Sequence, residues 1–115
     1  MKTLKKVVKK PWGQFYDFAE NKGKWHLKIL AIKKGKQLSL QKHAKRREFW
    51  IVAEGKVQIT KGDKKFILSS QKTISISKKE LHRIKALTDA KVIEVSFGLH
   101  DEKDIVRVAD DYGRV

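Results

Sequence analysis

Apolar and polar residues alternate with a period of two in several short segments, and this alternation constrains the fold more than any other feature of the sequence. It is visible in residues 25–31, 56–59, 73–77 and 93–97. Successive side chains of a β-strand leave opposite faces of a sheet, so a period of two predicts half-buried strands. Outside any candidate site, His26 and His100 are predicted to be surface residues.

Short turn motifs separate these segments. The motifs are Asn21-Lys22-Gly23, Lys34-Gly35, Glu54-Gly55, Lys61-Gly62-Asp63, Ser69-Ser70 and Thr88-Asp89. Their spacing predicts about eight to ten short strands. No segment before residue 100 keeps a period of 3.6, which excludes a βαβ architecture and favours an antiparallel sandwich or barrel. Only residues 101–112 could hold a short helix, and one domain is expected over residues 1–115.

The composition fits a folded domain without disulfides. Of the 115 residues, 40% are hydrophobic and none is cysteine. A chain of this size can bury about two thirds of its extended surface, and the absence of cysteine excludes thiolate metal sites and thiol nucleophiles. No apolar run approaches the roughly 20 residues that a membrane span needs. We therefore expect a cytoplasmic protein with no membrane partner.

The chain is strongly basic, with 28 Lys and Arg against 13 Asp and Glu and a formal net charge of +15. Clustered basic residues bind the phosphate backbone of nucleic acids. Here they are spread along the chain, and no zinc-finger, helix-turn-helix or aromatic RNP pattern accompanies them. Nucleic-acid binding is therefore the weaker interpretation, and attraction of anionic metabolites explains the charge as well.

Potential metal ligands are concentrated between Gly35 and Gly55. Gln41 and His43 are two residues apart and share one face of a strand, while Glu48 begins the next apolar strand. His82 begins a later strand and could supply a fourth donor. Imidazole, carboxylate and amide oxygen together suit a divalent ion. From spacing alone, however, a histidine on a strand is more often a surface or hydrogen-bonded residue than a metal ligand.

The spacing from Gly35 to Gly55 resembles the first motif of the cupins, with Gln41 in place of its first histidine. More narrowly, residues 38–43 with Arg46, Glu48 and Trp50 resemble the signature of type II mannose-6-phosphate isomerases, usually the C-terminal domain of bifunctional isomerase/GDP-mannose pyrophosphorylases. Further segments resemble the same family: residues 10–13 with Phe15, residues 25–33, residues 71–76 with His82-Arg83, residues 93–95, residues 104–107 and residues 111–114.

The resemblance implies an all-β, single-domain cupin, a double-stranded β-helix or jelly-roll barrel of short antiparallel strands. It implies one divalent metal ion (Zn, Mn, Co, Ni or Fe) held by Gln41, His43, Glu48 and His82. The implied reaction interconverts mannose 6-phosphate and fructose 6-phosphate, for GDP-mannose and polysaccharide precursor supply. Arg46 and Lys28 are the implied catalytic residues, Arg83 and Arg107 are the implied contacts to a hexose 6-phosphate, and no base is assigned. Trp12 and Trp50 are expected in the core.

Departures from the family pattern keep other functions open. Ala44, Lys45 and Phe49 stand where the family commonly has histidine. A non-catalytic cupin that binds a sugar phosphate or nucleotide-sugar is therefore one alternative, and another cupin enzyme such as an Fe(II) oxygenase is a further one. Exposed sheet edges predict a homodimer, and a separate GDP-mannose pyrophosphorylase is a possible partner.

Overall fold

The computed structural model describes residues 1–101 and 103–114. Eleven strands span these residues: β1 Lys2–Lys10, β2 Gly13–Asn21, β3 Trp25–Ile32, β4 Leu40–Lys42, β5 Arg46–Glu54, β6 Lys56–Lys61, β7 Lys64–Ser69, β8 Thr73–Ile76, β9 His82–Ala86, β10 Ala90–Gly98 and β11 Val106–Ala109. The described residues contain no helix, so the short helix expected within residues 101–112 is wrong. Val106–Ala109 instead pair with β4 as an edge strand. No helix in this part of the chain is long and apolar enough to cross a membrane.

The strands form two sheets. One has six strands in the order β1-β2-β3-β10-β5-β8, and the other has five in the order β11-β4-β9-β6-β7. Every described pairing is antiparallel. Strands that are neighbours in space but distant in sequence, such as β3 and β10, are typical of a jelly roll. The predicted antiparallel all-β architecture is confirmed, with one strand more than the upper expectation.

The hydrophobic core fills the space between the two sheets. It includes Trp12, Phe15, Leu30, Ile32, Trp50, Val52, Val57, Ile59, Ile76, Ile84, Ala86, Ala90 and Val92. Burial of these side chains removes their apolar surface from water, which supplies most of the favourable free energy of folding. Trp12 and Trp50 are both buried here, as expected from the sequence.

The inward faces of β3 and β10 are apolar over only part of their length, because Leu30, Ile32, Ala90 and Val92 belong to the core whereas the other inward positions are polar. His26 and Lys28 on β3, and Glu94 and Ser96 on β10, are all buried between the sheets. The apolar residues that alternate with them lie on the outer face of the six-stranded sheet and are only partly buried. The prediction that His26 is a surface residue is therefore wrong, because it is 4% exposed. His100 is half-buried and stacks on it, with ring centroids 3.8 Å apart.

Gly55 makes the tight turn between β5 and β6. Its φ is +83°, a conformation that favours glycine, and a Cβ there would lie 2.3 Å from the Asp89 carbonyl oxygen. Glycine is therefore required at position 55 for two reasons: the chain reverses there, and the loop that contains Asp89 approaches it closely.

Candidate metal centre

Three of the four predicted ligands converge on one buried point. His43 follows β4, Glu48 lies in β5 and His82 begins β9. Their ligand atoms all lie within 4.8 Å of one another. Nε2 of His43 is 3.8 Å from Oε2 of Glu48, and Nε2 of His82 is 3.6 Å from Oε1 of the same carboxylate. Both sheets contribute, since β5 belongs to the six-stranded sheet and β9 to the five-stranded one.

Backbone carbonyls orient both imidazoles. Nδ1 of His43 donates to the Asp104 carbonyl at 2.6 Å, and Nδ1 of His82 donates to the Glu80 carbonyl at 2.8 Å. With the proton on Nδ1, each Nε2 presents its lone pair to Glu48. Nε2 of His82 is buried and makes no hydrogen bond within the described chain.

Burial also keeps both imidazoles neutral. Desolvation, reinforced by the Arg46 cation, lowers the pKa of His43 to about 4. Desolvation by burial likewise lowers the pKa of His82. A neutral imidazole is the form that binds a metal ion, so both histidines are competent ligands at neutral pH.

Two neighbours on β5 hold the Glu48 carboxylate. Arg46 Nε donates to Oε2 at 3.0 Å, and Trp50 Nε1 donates to Oε1 at 3.2 Å. All three side chains share the inward face of the strand because they alternate along it. Arg46 Nη2 also donates to His43 Nε2 at 3.2 Å. This buried cation therefore compensates the buried carboxylate of Glu48 and also contacts His43. His43, Glu48 and His82 are called the triad below.

Gln41 borders the triad. Its Oε1 accepts a hydrogen bond from Ser39 Oγ at 2.6 Å, and its amide nitrogen lies 3.4 Å from His43 Nε2. In this orientation the amide nitrogen, and not the oxygen, faces the triad. Rotation of the amide would be needed before Gln41 could act as the fourth ligand.

The geometry of His43, Glu48 and His82 suits a divalent ion. Metal–ligand bonds of about 2.1 Å at tetrahedral angles separate donor atoms by roughly 3.4 Å. The two Nε2 atoms lie 3.8 and 3.6 Å from different oxygens of Glu48, and all the ligand atoms lie within 4.8 Å of one another, so a bound ion would draw these atoms closer together. Two neutral imidazoles and one carboxylate are a donor set accepted by several divalent transition metals. The residues present therefore fit a metal ion without selecting which one.

A cavity of about 70 Å³ lies beside the triad, and His43 is the member of the triad that lines it. Five basic side chains line it: Lys10, Lys28, Arg46, Arg107 and Arg114. Lys28 is buried with its Nζ 4.5 Å from the centre of the Phe15 ring. The cavity therefore combines a potential metal centre with a strongly cationic wall.

Glu94 is the functional candidate that the sequence reasoning missed. It lines the cavity, is 6% exposed and lies directly opposite Lys28 across β3 and β10. Burial, with a further contribution from Glu48, raises its pKa. The alternation in β10 had assigned Glu94 to the polar face without revealing that this face points inward. No signal in the sequence alone identifies Glu94, because matching it with Lys28 requires knowing that β3 and β10 are neighbours.

The predicted phosphate contacts separate into two groups. Arg107 lines the cavity, and its Nε makes no hydrogen bond among the described residues. Arg83 does not line this cavity; its guanidinium donates to the carbonyls of Leu38 and Ala109, at 2.9 and 3.1 Å. Arg114, which the sequence reasoning did not select, also lines the cavity and is held by Asp110 at 2.9 and 3.0 Å.

The positions that lack the family's histidines lie away from the triad. Ala44 and Lys45 are exposed in the turn before β5. Phe49 follows Glu48 on β5 and therefore points to the outer face of the sheet. None of these three positions belongs to the buried cluster of His43, Glu48 and His82.

Comparisons with known proteins give a family and a fold. The sequence profile of the family described as "Mannose-6-phosphate isomerase C-terminal" matches residues 1–110. Alginate biosynthesis protein AlgA of Pseudomonas aeruginosa is 38% identical over 110 residues, which cover 93% of this chain and 23% of that protein. Xanthan biosynthesis protein XanB of Xanthomonas campestris pv. campestris is 36% identical over 115 residues, 97% of this chain and 24% of that protein. The chain thus spans about a quarter of the length of the curated relatives it matches.

Among solved structures, KdgF from Halomonas superposes with a TM-score of 0.79 at 17% identity, covering 85% of this chain and 92% of that one. At this identity the likeness concerns the fold alone. The fold is that of the cupins, as the sequence resemblance had implied.

Proposed function

Because the chain belongs to the mannose-6-phosphate isomerase C-terminal family, we propose that it is a metal-dependent isomerase that interconverts mannose 6-phosphate and fructose 6-phosphate. The observation that carries the proposal is the triad of His43, Glu48 and His82, buried beside a cavity walled by cations. An aldose–ketose isomerase needs an electrophile near the carbonyl, a base near the adjacent carbon and cations for the phosphate. His43 of the triad, the carboxylate of Glu94 and five basic side chains line this cavity, which places residues suited to each of these tasks close together.

His43, Glu48 and His82 would hold the metal ion, with Gln41 as a fourth donor after rotation of its amide. When bound, the ion would supply Lewis-acid polarisation of the substrate's carbonyl group. Arg46 and Trp50 keep the carboxylate of Glu48 aimed at the site through their hydrogen bonds. Such supporting contacts fix ligand orientation and are needed for full metal affinity.

Glu94 is the proposed base. The reaction moves a proton between two adjacent carbons of the sugar, and a single carboxylate on one side can accept it from one carbon and return it to the other. Glu94 lines the cavity within the same sheet as Glu48, and burial raises its pKa above that of an exposed carboxyl group, which makes the carboxylate a stronger base. Lys28, directly opposite, would donate a hydrogen bond to a substrate oxygen and stabilise negative charge that develops there.

Arg107 and Lys10 are the proposed phosphate contacts, with Arg114 as an additional cation. A guanidinium group binds phosphate oxygens through two parallel hydrogen bonds, and the Nε of Arg107 is not otherwise used within the described chain. The cavity of about 70 Å³ accommodates only the reacting end of a hexose phosphate. The phosphate would therefore lie at the mouth, where these side chains meet solvent.

A coupled isomerase assay tests the proposal. Metal-loaded protein should convert mannose 6-phosphate to fructose 6-phosphate, chelator-stripped protein should not, and re-added Zn or Mn should restore turnover. Replacing both triad histidines, His43→Ala with His82→Ala, should abolish activity. His100→Gln removes a histidine outside the triad and should leave activity near wild type. Equal turnover by the stripped protein, or by the double variant, would contradict the proposal.

A second function, a non-catalytic sugar-phosphate binder, is favoured by one contact. The Arg46 guanidinium already donates to both His43 and Glu48, so a cation of the protein neutralises the ligand set without a metal. In that case mannose 6-phosphate would bind in a metal-free calorimetric titration, with no turnover before or after metal addition. That pair of results would assign the chain to the binding class.

The cellular setting follows from the same proposal. The named relatives act in alginate and xanthan biosynthesis, and mannose 6-phosphate isomerisation would here supply GDP-mannose for a polysaccharide. The chain would then act in the cytoplasm, beside a GDP-mannose pyrophosphorylase on the same or a separate polypeptide.

A further inference from the structure

The aromatic ring of Phe15 contacts two lysine side chains at the wall of the cavity. The Nζ of Lys28 is 4.5 Å from the centre of the ring, and the Nζ of Lys10 is 5.8 Å from it. All three side chains line the cavity. An ammonium group within about 6 Å of a ring centre is attracted by the negative face of the ring. One ring therefore attracts two of the five cations of the cavity wall.

The position of this ring is fixed by the sheet. Phe15 is 5% exposed and belongs to the hydrophobic core. In β2 it pairs with Val8 of β1 on one side and with Leu30 of β3 on the other, and both of these side chains pack in the same core cluster. Close packing from both neighbouring strands leaves little freedom to a side chain with only two torsion angles. The ring is therefore a rigid surface against which flexible side chains can be ordered.

Lys28 is the cation for which this contact has the larger consequence. Its ammonium group is carried on a flexible four-carbon chain, and the residue is 5% exposed, so water solvates the charge poorly. Glu94 lies directly opposite on β10. A full ion pair with Lys28 would neutralise the carboxylate that the proposed reaction uses as a base. Attraction to the face of the Phe15 ring opposes that ion pair and keeps the ammonium group at the cavity wall.

We propose that Phe15 is a positioning residue, whose ring holds the ammonium group of Lys28 towards the reacting end of the substrate and that of Lys10 towards its phosphate. This rests on the proposed isomerase function, in which Lys28 stabilises developing negative charge and Lys10 contacts the phosphate. A cation that is already in place stabilises the transition state without the cost of being ordered during the reaction. Phe15 thus acts through the two lysines and takes no part in proton transfer.

Substitutions of Phe15 separate the ring from its apolar bulk. Phe15→Leu removes the ring and keeps an apolar side chain, so kcat for mannose 6-phosphate should fall roughly tenfold through Lys28, and KM should rise roughly threefold to tenfold through Lys10. Phe15→Tyr keeps the ring face and should restore both parameters to near the wild-type values. Val57→Ala is the control for lost core packing, since Val57 is buried on β6 and does not line the cavity. Its kcat and KM should match the wild type, and circular dichroism melts establish that each variant is folded.

A double-mutant cycle tests whether Phe15 acts through Lys28. Lys28→Met alone should lower kcat. Adding Phe15→Leu to that variant should lower kcat no further, because the ammonium group that the ring positions is already gone. Effects of the two substitutions that multiply would show that ring and lysine act independently and would overturn the proposal. A Phe15→Leu variant with wild-type kcat and KM would overturn it as well.

A spectroscopic measurement separates the positioning role from the isomerase activity. Protons above the face of an aromatic ring resonate upfield in nuclear magnetic resonance spectra. In protein with isotope-labelled lysine, the ε-methylene signals of Lys28 should be shifted upfield in the wild type and in Phe15→Tyr but not in Phe15→Leu, and Lys28→Met assigns them. An unshifted Lys28 signal in the wild type would overturn the positioning role of Phe15 whatever the turnover. A shifted signal in wild-type protein without turnover would instead contradict the isomerase activity and not the positioning of Lys28.

Discussion

The Glu48 carboxylate illustrates how single residues define the site. It is 1% exposed, and an isolated carboxylate at such a depth would be strongly destabilising. Hydrogen bonds from Arg46 and Trp50 and the proximity of two imidazoles make its burial tolerable. A bound cation would complete this compensation, which is why the metal centre is the simplest explanation of the buried polar cluster.

Glu94→Gln tests the base at the residue scale. The amide cannot accept the proton, so kcat should fall by roughly 10²- to 10⁴-fold, while metal content stays at the wild-type level because Glu94 is not one of the three ligands. Steady-state kinetics and metal analysis of the same preparation check this. Lys85→Gln is the control for the loss of one charge, since Lys85 is a partly exposed residue of β9 whose side chain points away from the interior. A Glu94→Gln enzyme with near wild-type kcat would show that another group moves the proton.

The pH dependence of stability tests His43. Its pKa is about 4 in the folded protein and about 6.5 when exposed. As the pH falls below 6.5, the unfolded chain binds a proton that the folded protein does not, so stability decreases as the pH falls. The loss should reach about 3 kcal/mol by pH 4 in metal-free protein. Urea unfolding at pH 7, 5.5 and 4 measures it.

His43→Gln is the comparison for this titration. The variant lacks the group, so its stability should fall less steeply over the same pH interval. Identical slopes for wild type and variant would mean that His43 is not buried as a neutral imidazole.

At the scale of elements, the segment after β10 completes the site. Asp104 accepts hydrogen bonds from the amides of Ala44 and Lys45, both at 2.9 Å, and its carbonyl accepts from His43. The same segment contributes Ile105 and Arg107 to the cavity wall. A short C-terminal stretch therefore fixes the turn that carries His43.

Asp104→Ala should weaken metal binding by roughly 10- to 100-fold, because loss of its two side-chain hydrogen bonds frees the turn that positions His43. A competition titration against a chromogenic chelator measures the affinity. Asp111→Ala is the matched control, since Asp111 is an exposed carboxylate bonded to Gln37 in the same C-terminal region. Equal affinities for the two variants would refute the positioning role.

The strands could be predicted from the sequence, but which face of β3 and of β10 points inward could not. Val57 and Ile59 point inward as their alternation predicts, since β6 lies over the purely apolar part of the core. In β3 and β10 the polar residues point inward, because the barrel houses a polar cavity at that position. Period-two alternation distinguishes two faces without saying which is buried. The convergence of His43, Glu48 and His82 could be predicted only with the family resemblance. The inward position of Glu94 could not be predicted, since it requires knowing that β3 and β10 are neighbours.

At the scale of the whole molecule, the net charge of +15 is distributed over a small surface. Like charges at this density repel one another and oppose the compact state, and salt screens that repulsion. Raising NaCl from 20 to 300 mM should therefore increase the melting temperature of the metal-free protein. Differential scanning calorimetry checks this. A melting temperature that falls with salt would mean that favourable surface ion pairs outweigh the repulsion.

The measurement that tests the central claim most directly is metal content by mass spectrometry, on protein purified without a metal-affinity tag and incubated with Zn or Mn. We expect close to one ion per chain in the wild type, near zero in the His43→Ala/His82→Ala variant and an unchanged ratio in His100→Gln. Wild-type protein that retains no metal, or a double variant that retains as much as the wild type, would contradict the assignment of His43, Glu48 and His82 as the metal centre.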